Sequence, residues 1–186
     1  MPTIEIQTPD GPAEAYLARP DEEAHPGVLL YMDAIGLRPR IEEMADRIAS
    51  WGYVVLAPNV FHRDGRAADL APRADLRVPE NREAFFVDAM RRVRALTPDQ
   101  AERDARRWVE ALLERATAPI GVTGYCMGVR LAIRTAGLPY LNEVYAGAAH
   151  GYSMADAAPY DEAATERHFA ELEALLARTL GDDAVG

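Results

Sequence analysis

The stretch Gly-Tyr-Cys-Met-Gly at residues 124–128 places Cys126 in a tight turn between a predicted strand and a predicted helix. The strand is the short apolar run 119–123, and the helix is the run Met127–Ala136, which consists mainly of good helix formers. A turn this tight holds its central residue at strained backbone angles, and a glycine two residues to either side leaves room where a Cβ atom would crowd it. The chain must therefore fold with a strand that leads directly into a helix.

The same five residues match the pattern of a nucleophile elbow, with Cys in the place of the usual Ser. The elbow lifts the sulfur of Cys126 above the edge of the sheet, at the N-terminus of a helix. There the backbone N–H groups and the helix dipole favour a thiolate and can bind an oxyanion. The alternative is a small buried cysteine without chemistry. We expect Cys126 to be a nucleophile because the strand, both glycines and the helix all lie where the elbow needs them.

Strands and helices alternate along the chain, which predicts an α/β fold with a mainly parallel sheet flanked by helices, in a single domain over residues 1–186. The first two strands form a hairpin, and the strand before Cys126 is expected to be central and buried. The predicted strands are Ile4–Thr8, Ala13–Arg19, Gly27–Tyr31, Tyr53–Ala57, Pro119–Thr123 and Asn142–Ala146. The continuous apolar run at 27–31 is typical of a strand that is buried on both faces. The predicted helices begin near Pro39, Glu80, Thr97, Met127 and Pro159. The start at Thr97 is indicated by an N-cap Thr, a Pro at the first helical position and a Gln three residues after the cap, and the apolar face of this helix includes Trp108 and Leu112.

Charge and composition exclude several classes of function. A net charge of −10 argues against nucleic acid as a partner, and all 20 basic residues are Arg. Without Lys the chain has no P-loop lysine, Schiff-base lysine or kinase lysine. No apolar run approaches the roughly 18 residues of a membrane span. The N-terminus has no signal-like stretch, and a single Cys fits a reducing compartment, so we expect a cytoplasmic protein without membrane partners.

The carboxyl ends of parallel strands meet at one edge of a sheet, where α/β proteins place their sites. Four reactive or polar residues directly follow predicted strands in this sequence. They are Asp33, Asn59, Cys126 and His150. We therefore expect a site at this edge.

Cys126 needs a base, and His150 is the strongest of the four histidines. It lies in the loop 147–152, whose small residues let an imidazole turn toward the sheet; a loop histidine bonded to backbone is the alternative. His62, in the long loop after the fourth strand, is a possible pocket residue. His25 is expected at the surface, and His168 at the surface or half-buried.

A Cys–His pair would give a thiolate nucleophile, an acyl-thioester intermediate and attack by a water that the histidine activates. The oxyanion would be held by the backbone N–H of Met127 and by that of Ala34, in the loop after the third strand. Tyr125 and Tyr152, next to Cys126 and His150, are further possible pocket residues.

Three segments together resemble the dienelactone hydrolase family of α/β-hydrolases, over most of the chain: residues 124–128, His150-Gly151-Tyr152 and the loop 33–36. The resemblance implies hydrolysis of small esters or lactones by a Cys-His-Asp triad, without a cofactor or metal. It implies that Cys126 is the nucleophile and His150 the base. Asp33 stands where the family places an acidic residue that contacts the resting cysteine, so it would tune the thiol. We expect a monomer or weak homo-oligomer.

The chain departs from the family between the elbow and the histidine. Cys126 and His150 are 24 positions apart, where the family has several tens of residues that include two strands and the triad Asp. The fold is therefore expected to have fewer strands than the family norm. A natural or engineered deletion, an omitted stretch, or a different acid would each explain the spacing. The candidate acids, in falling order, are Asp33, Asp156 and Asp64.

The missing acid leaves two further functions open. One is a weak or inactive hydrolase remnant that binds a small molecule or a partner protein. The other is a redox-sensing thiol at Cys126, although no second Cys is present to resolve an oxidised sulfur.

Overall fold

The computed structural model describes residues 3–136 and 147–181, and strands and helices alternate through these ranges. The strands are β1 (Thr3–Thr8), β2 (Gly11–Ala18), β3 (Pro26–Tyr31), β4 (Val54–Pro58) and β5 (Thr117–Gly124). The helices are α1 (Pro39–Ala49), α2 (Ala67–Leu70), α3 (Pro79–Ala95), α4 (Pro98–Leu113), α5 (Met127–Ala136) and α6 (Glu162–Leu180). Only the single turn α2 has no counterpart among the predicted helices.

The five described strands form one sheet in the order β1-β2-β4-β3-β5. β1 and β2 form the predicted antiparallel hairpin, and β2 is also antiparallel to β4. β3 runs parallel to both β4 and β5, so that Val28 pairs with Val55 on one side and with Gly121 on the other. This arrangement confirms the predicted α/β fold and its parallel core.

Helices cover both faces of the parallel core. Val28, Leu29 and Leu30 of β3 are all fully buried, as a continuous apolar run predicts. A Cβ atom on Gly27 would lie 3.0 Å from Cγ of Leu112 in α4, whereas one on Gly121 would point at α6. Gly121 pairs with the residue after Gly27 and so faces the other side of the sheet. None of the described helices is long and apolar enough to cross a membrane.

Helix α4 begins where its sequence signal predicts. The Thr97 side chain accepts a hydrogen bond from the Gln100 backbone N–H at 3.3 Å, and the Gln100 side chain accepts one from the Thr97 N–H at 3.0 Å. This reciprocal pair is a capping box, and Pro98 occupies the first helical position. The helix buries Trp108 and Leu112 against the sheet, as expected.

The prediction that β5 is a central, buried strand is wrong for the part of the chain that the structure describes. β5 lies at the edge of the five strands, and none of its residues is fully buried. Its only large apolar side chains, Ile120 and Val122, share one face of the strand and are half-buried. The predicted strand Asn142–Ala146 lies outside the described residues.

Helix α6 contacts the loop that precedes it through a residue that the sequence did not single out. Ala163, which the apolar periodicity places on the buried face, is exposed, and Thr165 is buried instead. The Thr165 hydroxyl lies 3.0 Å from the Tyr152 carbonyl and 2.7 Å from the Asp161 carbonyl. The first turn of α6 therefore fixes the loop that carries His150.

The first turn of α5 packs directly against the end of β3. A Cβ atom on Gly128 would lie 2.6 Å from the carbonyl oxygen of Met32 and 2.7 Å from that of Tyr31. The Tyr31 carbonyl also accepts a hydrogen bond from the Tyr125 N–H at 3.1 Å. Only glycine at position 128 lets the helix start this close to the strand, so this residue fixes the position of the elbow.

Replacing Gly128 with Ala should lower the free energy of unfolding, although alanine has the higher helix propensity by up to about 1 kcal/mol. The added methyl group meets two backbone carbonyls that cannot move independently, and overpacking of this kind costs about 1–3 kcal/mol. The measurement is chemical denaturation. Val129→Ala is the control, because Val129 is an exposed residue of the same helix. A Gly128→Ala variant at least as stable as the wild type would contradict the close contact.

Candidate active site

Cys126 occupies a strained turn between β5 and α5. Its φ angle is +57°, in the left-handed region that non-glycine residues rarely adopt. The Gly128 N–H donates a hydrogen bond to the Tyr125 carbonyl at 2.8 Å, which closes the turn around the cysteine. The side chain is exposed at the carboxyl end of the sheet. A residue held at strained angles on the surface by its surroundings is typical of a functional position.

His150 lies next to the cysteine. Its Nε2 atom is 3.2 Å from Sγ of Cys126, within hydrogen-bond distance for sulfur. The histidine is exposed, and the loop around it makes short local turns, with Tyr152 N–H bonded to the Ala149 carbonyl and Gly151 at φ +88°. The structure therefore brings together the two residues that the sequence singled out, across 24 positions.

The two expected oxyanion donors lie on neighbouring segments. Met127 is the first residue of α5, and Ala34 lies in the loop after β3. These segments meet where Gly128 packs against the Met32 carbonyl. Among the described residues, neither amide donates a hydrogen bond to another protein group. This arrangement would allow the N–H groups of Met127 and Ala34 to donate hydrogen bonds to the same oxyanion.

Asp33 is buried, but its partner is not the cysteine. The Arg38 side chain holds the Asp33 carboxylate through two hydrogen bonds, of 2.7 and 3.2 Å, and the Ile35 N–H donates a third at 3.0 Å. Within the described residues no hydrogen bond joins Asp33 to Cys126. The expected thiol-tuning contact is thus replaced by an ion pair with a residue five positions along the chain.

The other two candidate acids are also engaged elsewhere. Asp156 pairs with Arg38 at 2.5 and 3.1 Å, and Asp64 lies 3.7 Å from Arg91. No carboxylate of residues 3–136 or 147–181 contacts His150. A triad acid is therefore absent from the described part of the chain. None of the three candidate acids is closer to this role than the others, because each is paired with an arginine.

His62, a possible pocket residue, has its side chain buried against α4. Its Nε2 atom is 3.4 Å from the Asp104 carboxylate, and its ring packs edge-on against Trp108 at 6.0 Å. Arg63 binds the same carboxylate at 2.7 and 2.8 Å. Burial alone raises the pKa of Asp104, but hydrogen bonds from His62 and Arg63 outweigh burial and lower it. This cluster joins the loop after β4 to helix α4.

Tyr125 and Tyr152, the other possible pocket residues, pack around a third residue, His168 of α6. The Tyr125 hydroxyl is 3.1 Å from His168 Nε2, and burial raises the pKa of this phenol. The Tyr152 ring lies edge-on to the same imidazole at 6.2 Å. His168 is half-buried, as expected, yet no feature of the sequence indicated that it contacts neighbours of both Cys126 and His150.

A cleft of about 530 Å³ opens beside the pair of loops that contain Asp33 and His150. Arg38 and Asp156 form part of its wall, and Arg40, Leu76 and Arg77 form much of the rest. Cys126 and His150 do not line it. Within the described ranges, no three His, Cys, Asp or Glu side chains are arranged to hold a metal ion.

Comparison with known proteins adds sequence and fold relationships to this geometry. The sequence model of the dienelactone hydrolase family matches residues 13–143, which include Cys126 and end before His150. Over 131 residues the chain is 30% identical to a carboxymethylenebutenolidase of Rhodococcus opacus, covering 70% of this chain and 46% of that protein. It is 27% identical over 126 residues to a candidate carboxymethylenebutenolidase of Yersinia pestis, covering 63% and 41%. The chain thus spans less than half of these curated relatives.

Solved structures match nearly the whole fold. A candidate dienelactone hydrolase from Klebsiella pneumoniae superposes with a TM-score of 0.69 at 16% identity, covering 95% of this chain and 97% of that one. The structure named m3DLH superposes with a TM-score of 0.62 at 20% identity, covering 99% and 98%. These matches confirm an α/β-hydrolase fold with fewer strands than the complete fold. With the family match over residues 13–143, they show that this chain belongs to the dienelactone hydrolase family of α/β-hydrolases.

Proposed function

We propose that this chain hydrolyses small esters or lactones through a covalent intermediate on Cys126. The observation that carries the proposal is the 3.2 Å contact between Cys126 Sγ and His150 Nε2 at a turn with positive φ. The names of the curated relatives support the substrate class, because a carboxymethylenebutenolidase acts on a butenolide, which is a lactone. Small substrates suit a sulfur that lies exposed at the surface.

In the first half of the proposed reaction, His150 takes the thiol proton and the Cys126 sulfur attacks the substrate's carbonyl carbon. The carbonyl oxygen becomes an oxyanion, and the backbone N–H groups of Met127 and Ala34 donate hydrogen bonds to it. The tetrahedral intermediate collapses, the bond to the leaving oxygen breaks, and the His150 imidazolium gives its proton to that oxygen. An acyl-thioester remains on Cys126.

In the second half, His150 accepts a proton from water while the water oxygen attacks the acyl-thioester carbon. The same two amides hold the second oxyanion. Collapse of this intermediate breaks the carbon–sulfur bond, the His150 imidazolium returns its proton to the sulfur, and the carboxylic acid leaves. Both halves need the imidazole to face the sulfur, and the 3.2 Å contact supports this requirement.

A second candidate function is binding without efficient turnover. It is favoured by one observation, which is that no carboxylate in the described residues orients His150. Loss of the orienting acid from a catalytic triad lowers kcat by roughly 10⁴-fold without abolishing the reaction. The two candidates therefore differ in whether the wild-type chain turns over an ester faster than the buffer does, through Cys126.

Replacing Cys126 with Ala should lower the turnover of an activated aryl ester by roughly 10³-fold or more, to near the buffer rate, because no other thiol is present. The measurement is release of the aryl alcohol under saturating ester. The free energy of unfolding serves as the control, since the exposed thiol contributes little to packing. Turnover that survives this replacement would contradict the proposal, whereas a wild-type rate no faster than that of the buffer would favour binding alone.

Replacing His150 with Ala should lower turnover by about 10²–10⁴-fold, the usual contribution of a general base. Since His150 is exposed, imidazole added to the solution should reach the vacant position and restore part of the rate. The matched control is His25→Ala, because His25 contacts Asp21 in a loop before β3. An unchanged rate in His150→Ala, or an equal loss in His25→Ala, would count against His150 as the base.

A further inference from the structure

We infer that Arg38 is a positioning residue that holds the loop of the oxyanion donor Ala34 and the loop of the base His150 in a fixed mutual arrangement. The inference rests on the proposed function, because it assigns a role in that reaction. Arg38 touches neither Cys126 nor His150 and acts through the backbone of the two loops. The sequence marks this residue only as the one before Pro39, at the start of α1.

The Arg38 guanidinium is almost completely buried, and its nitrogens are bonded to both loops at once. Nη1 donates to Asp33 Oδ1 at 2.7 Å and to the Gly36 carbonyl at 3.0 Å. Nη2 contacts Asp33, Met154 and Asp156, and Nε donates to Asp156 Oδ2 at 2.5 Å. One side chain therefore bridges two segments that are 118 positions apart in sequence.

The Asp33 contact fixes the loop after β3. Besides pairing with Arg38, the Asp33 carboxylate accepts the Ile35 N–H at 3.0 Å, and the Asp33 carbonyl accepts the Gly36 N–H at 3.2 Å. Ala34 lies between these bonded residues, so the direction of its N–H is set by a turn that Arg38 closes. An oxyanion donor is effective only when it is held at the position where charge develops.

The Asp156 contact fixes the loop that follows His150. Asp156 and Met154 both contact Arg38, and the neighbouring carbonyl of Ser153 accepts hydrogen bonds from Arg40 at 2.8 and 3.3 Å. The backbone from three to six residues after His150 is thus attached to the N-terminal end of α1. No carboxylate of the described residues contacts His150, so we infer that this attachment of its loop helps to hold the histidine in place.

The chemistry of the bridge requires arginine. Burial lowers the pKa of Arg38, but the hydrogen bonds and charges of Asp156 and Asp33 outweigh burial and raise it, so the guanidinium stays charged. Its planar fork can bond two carboxylates side-on at the same time, whereas lysine offers a single ammonium group. A buried ion pair of this kind fixes the relative positions of its partners, but the cost of desolvation offsets much of its contribution to the free energy of unfolding.

The two contacts can be separated by single substitutions. Asp156→Asn removes the charge on the side of His150 and keeps the side-chain shape, at a carboxylate that is 36% exposed. Asp33→Asn does the same on the side of Ala34. The matched control is Glu166→Gln, because Glu166 forms a bidentate pair with Arg47 at 2.7 Å, which joins α1 to α6 and contacts neither loop.

Two readouts distinguish positioning from simple stability. The rate of Cys126 alkylation by iodoacetamide as a function of pH reports the Cys–His pair without any ester, and kcat for an activated ester reports the whole reaction. Asp156→Asn should slow alkylation near neutral pH by roughly 10-fold and lower kcat, because a displacement of about 1 Å costs up to 10²-fold. Asp33→Asn should lower kcat by 10-fold or more and leave alkylation within about twofold of the wild type.

The results separate this inference from the proposed function. If Asp156→Asn alkylates at the wild-type rate, or if Glu166→Gln slows alkylation as much, the positioning role is overturned. If the substitutions lower kcat only in proportion to the folded fraction seen in denaturation, it is overturned as well. Full ester turnover in Cys126→Ala would instead overturn the proposed function, and the alkylation rates would still decide whether Arg38 positions the Cys–His pair.

Discussion

The contact between the first turn of α5 and the end of β3 determines the geometry of the candidate site. A glycine at position 128 lets the helix start within van der Waals distance of the Tyr31 and Met32 carbonyls, and no side chain fits between them. The turn that precedes the helix is then short enough to hold Cys126 at φ +57°. The same contact places the amides of Met127 and Ala34 on adjoining segments, so the proposed nucleophile and both proposed oxyanion donors depend on one close approach of backbone to backbone.

The proposed base, His150, is positioned by different means. His150 lies in a loop between the undescribed residues 137–146 and helix α6, and two helices fix the far side of that loop. Arg38, directly before α1, and Arg40, in its first turn, bind this loop from one side, and Thr165 of α6 binds it through a hydroxyl that meets the Tyr152 carbonyl. Buried polar contacts of this kind specify a single arrangement of loops more than they add to stability. In the proposed reaction these contacts hold His150 in place, a task that a carboxylate performs in the family's triad.

Sequence reasoning succeeded where local patterns decide the outcome. The continuous apolar run at 27–31 predicted a strand buried on both faces, and the Thr97 capping signal predicted the start of α4. It failed where a buried polar side chain has several possible hydrogen-bond partners. Asp33 follows a strand and was expected to contact the thiol, but its carboxylate forms an ion pair with Arg38, five residues further along the chain. His62 also follows a strand, yet Asp104 holds it against α4, because a buried carboxylate needs donors and the sequence does not show which donors reach it.

The most direct test of the central claim is the mass of the peptide containing Cys126 after brief reaction with an activated ester and an acid quench, which preserves a thioester. We expect one acyl group on Cys126, and more of it in His150→Ala if deacylation in that variant is slower than acylation. The adduct should be absent from Cys126→Ala. Turnover of the ester by the wild-type chain with no acyl group on this peptide, in either the wild type or the histidine variant, would contradict the account.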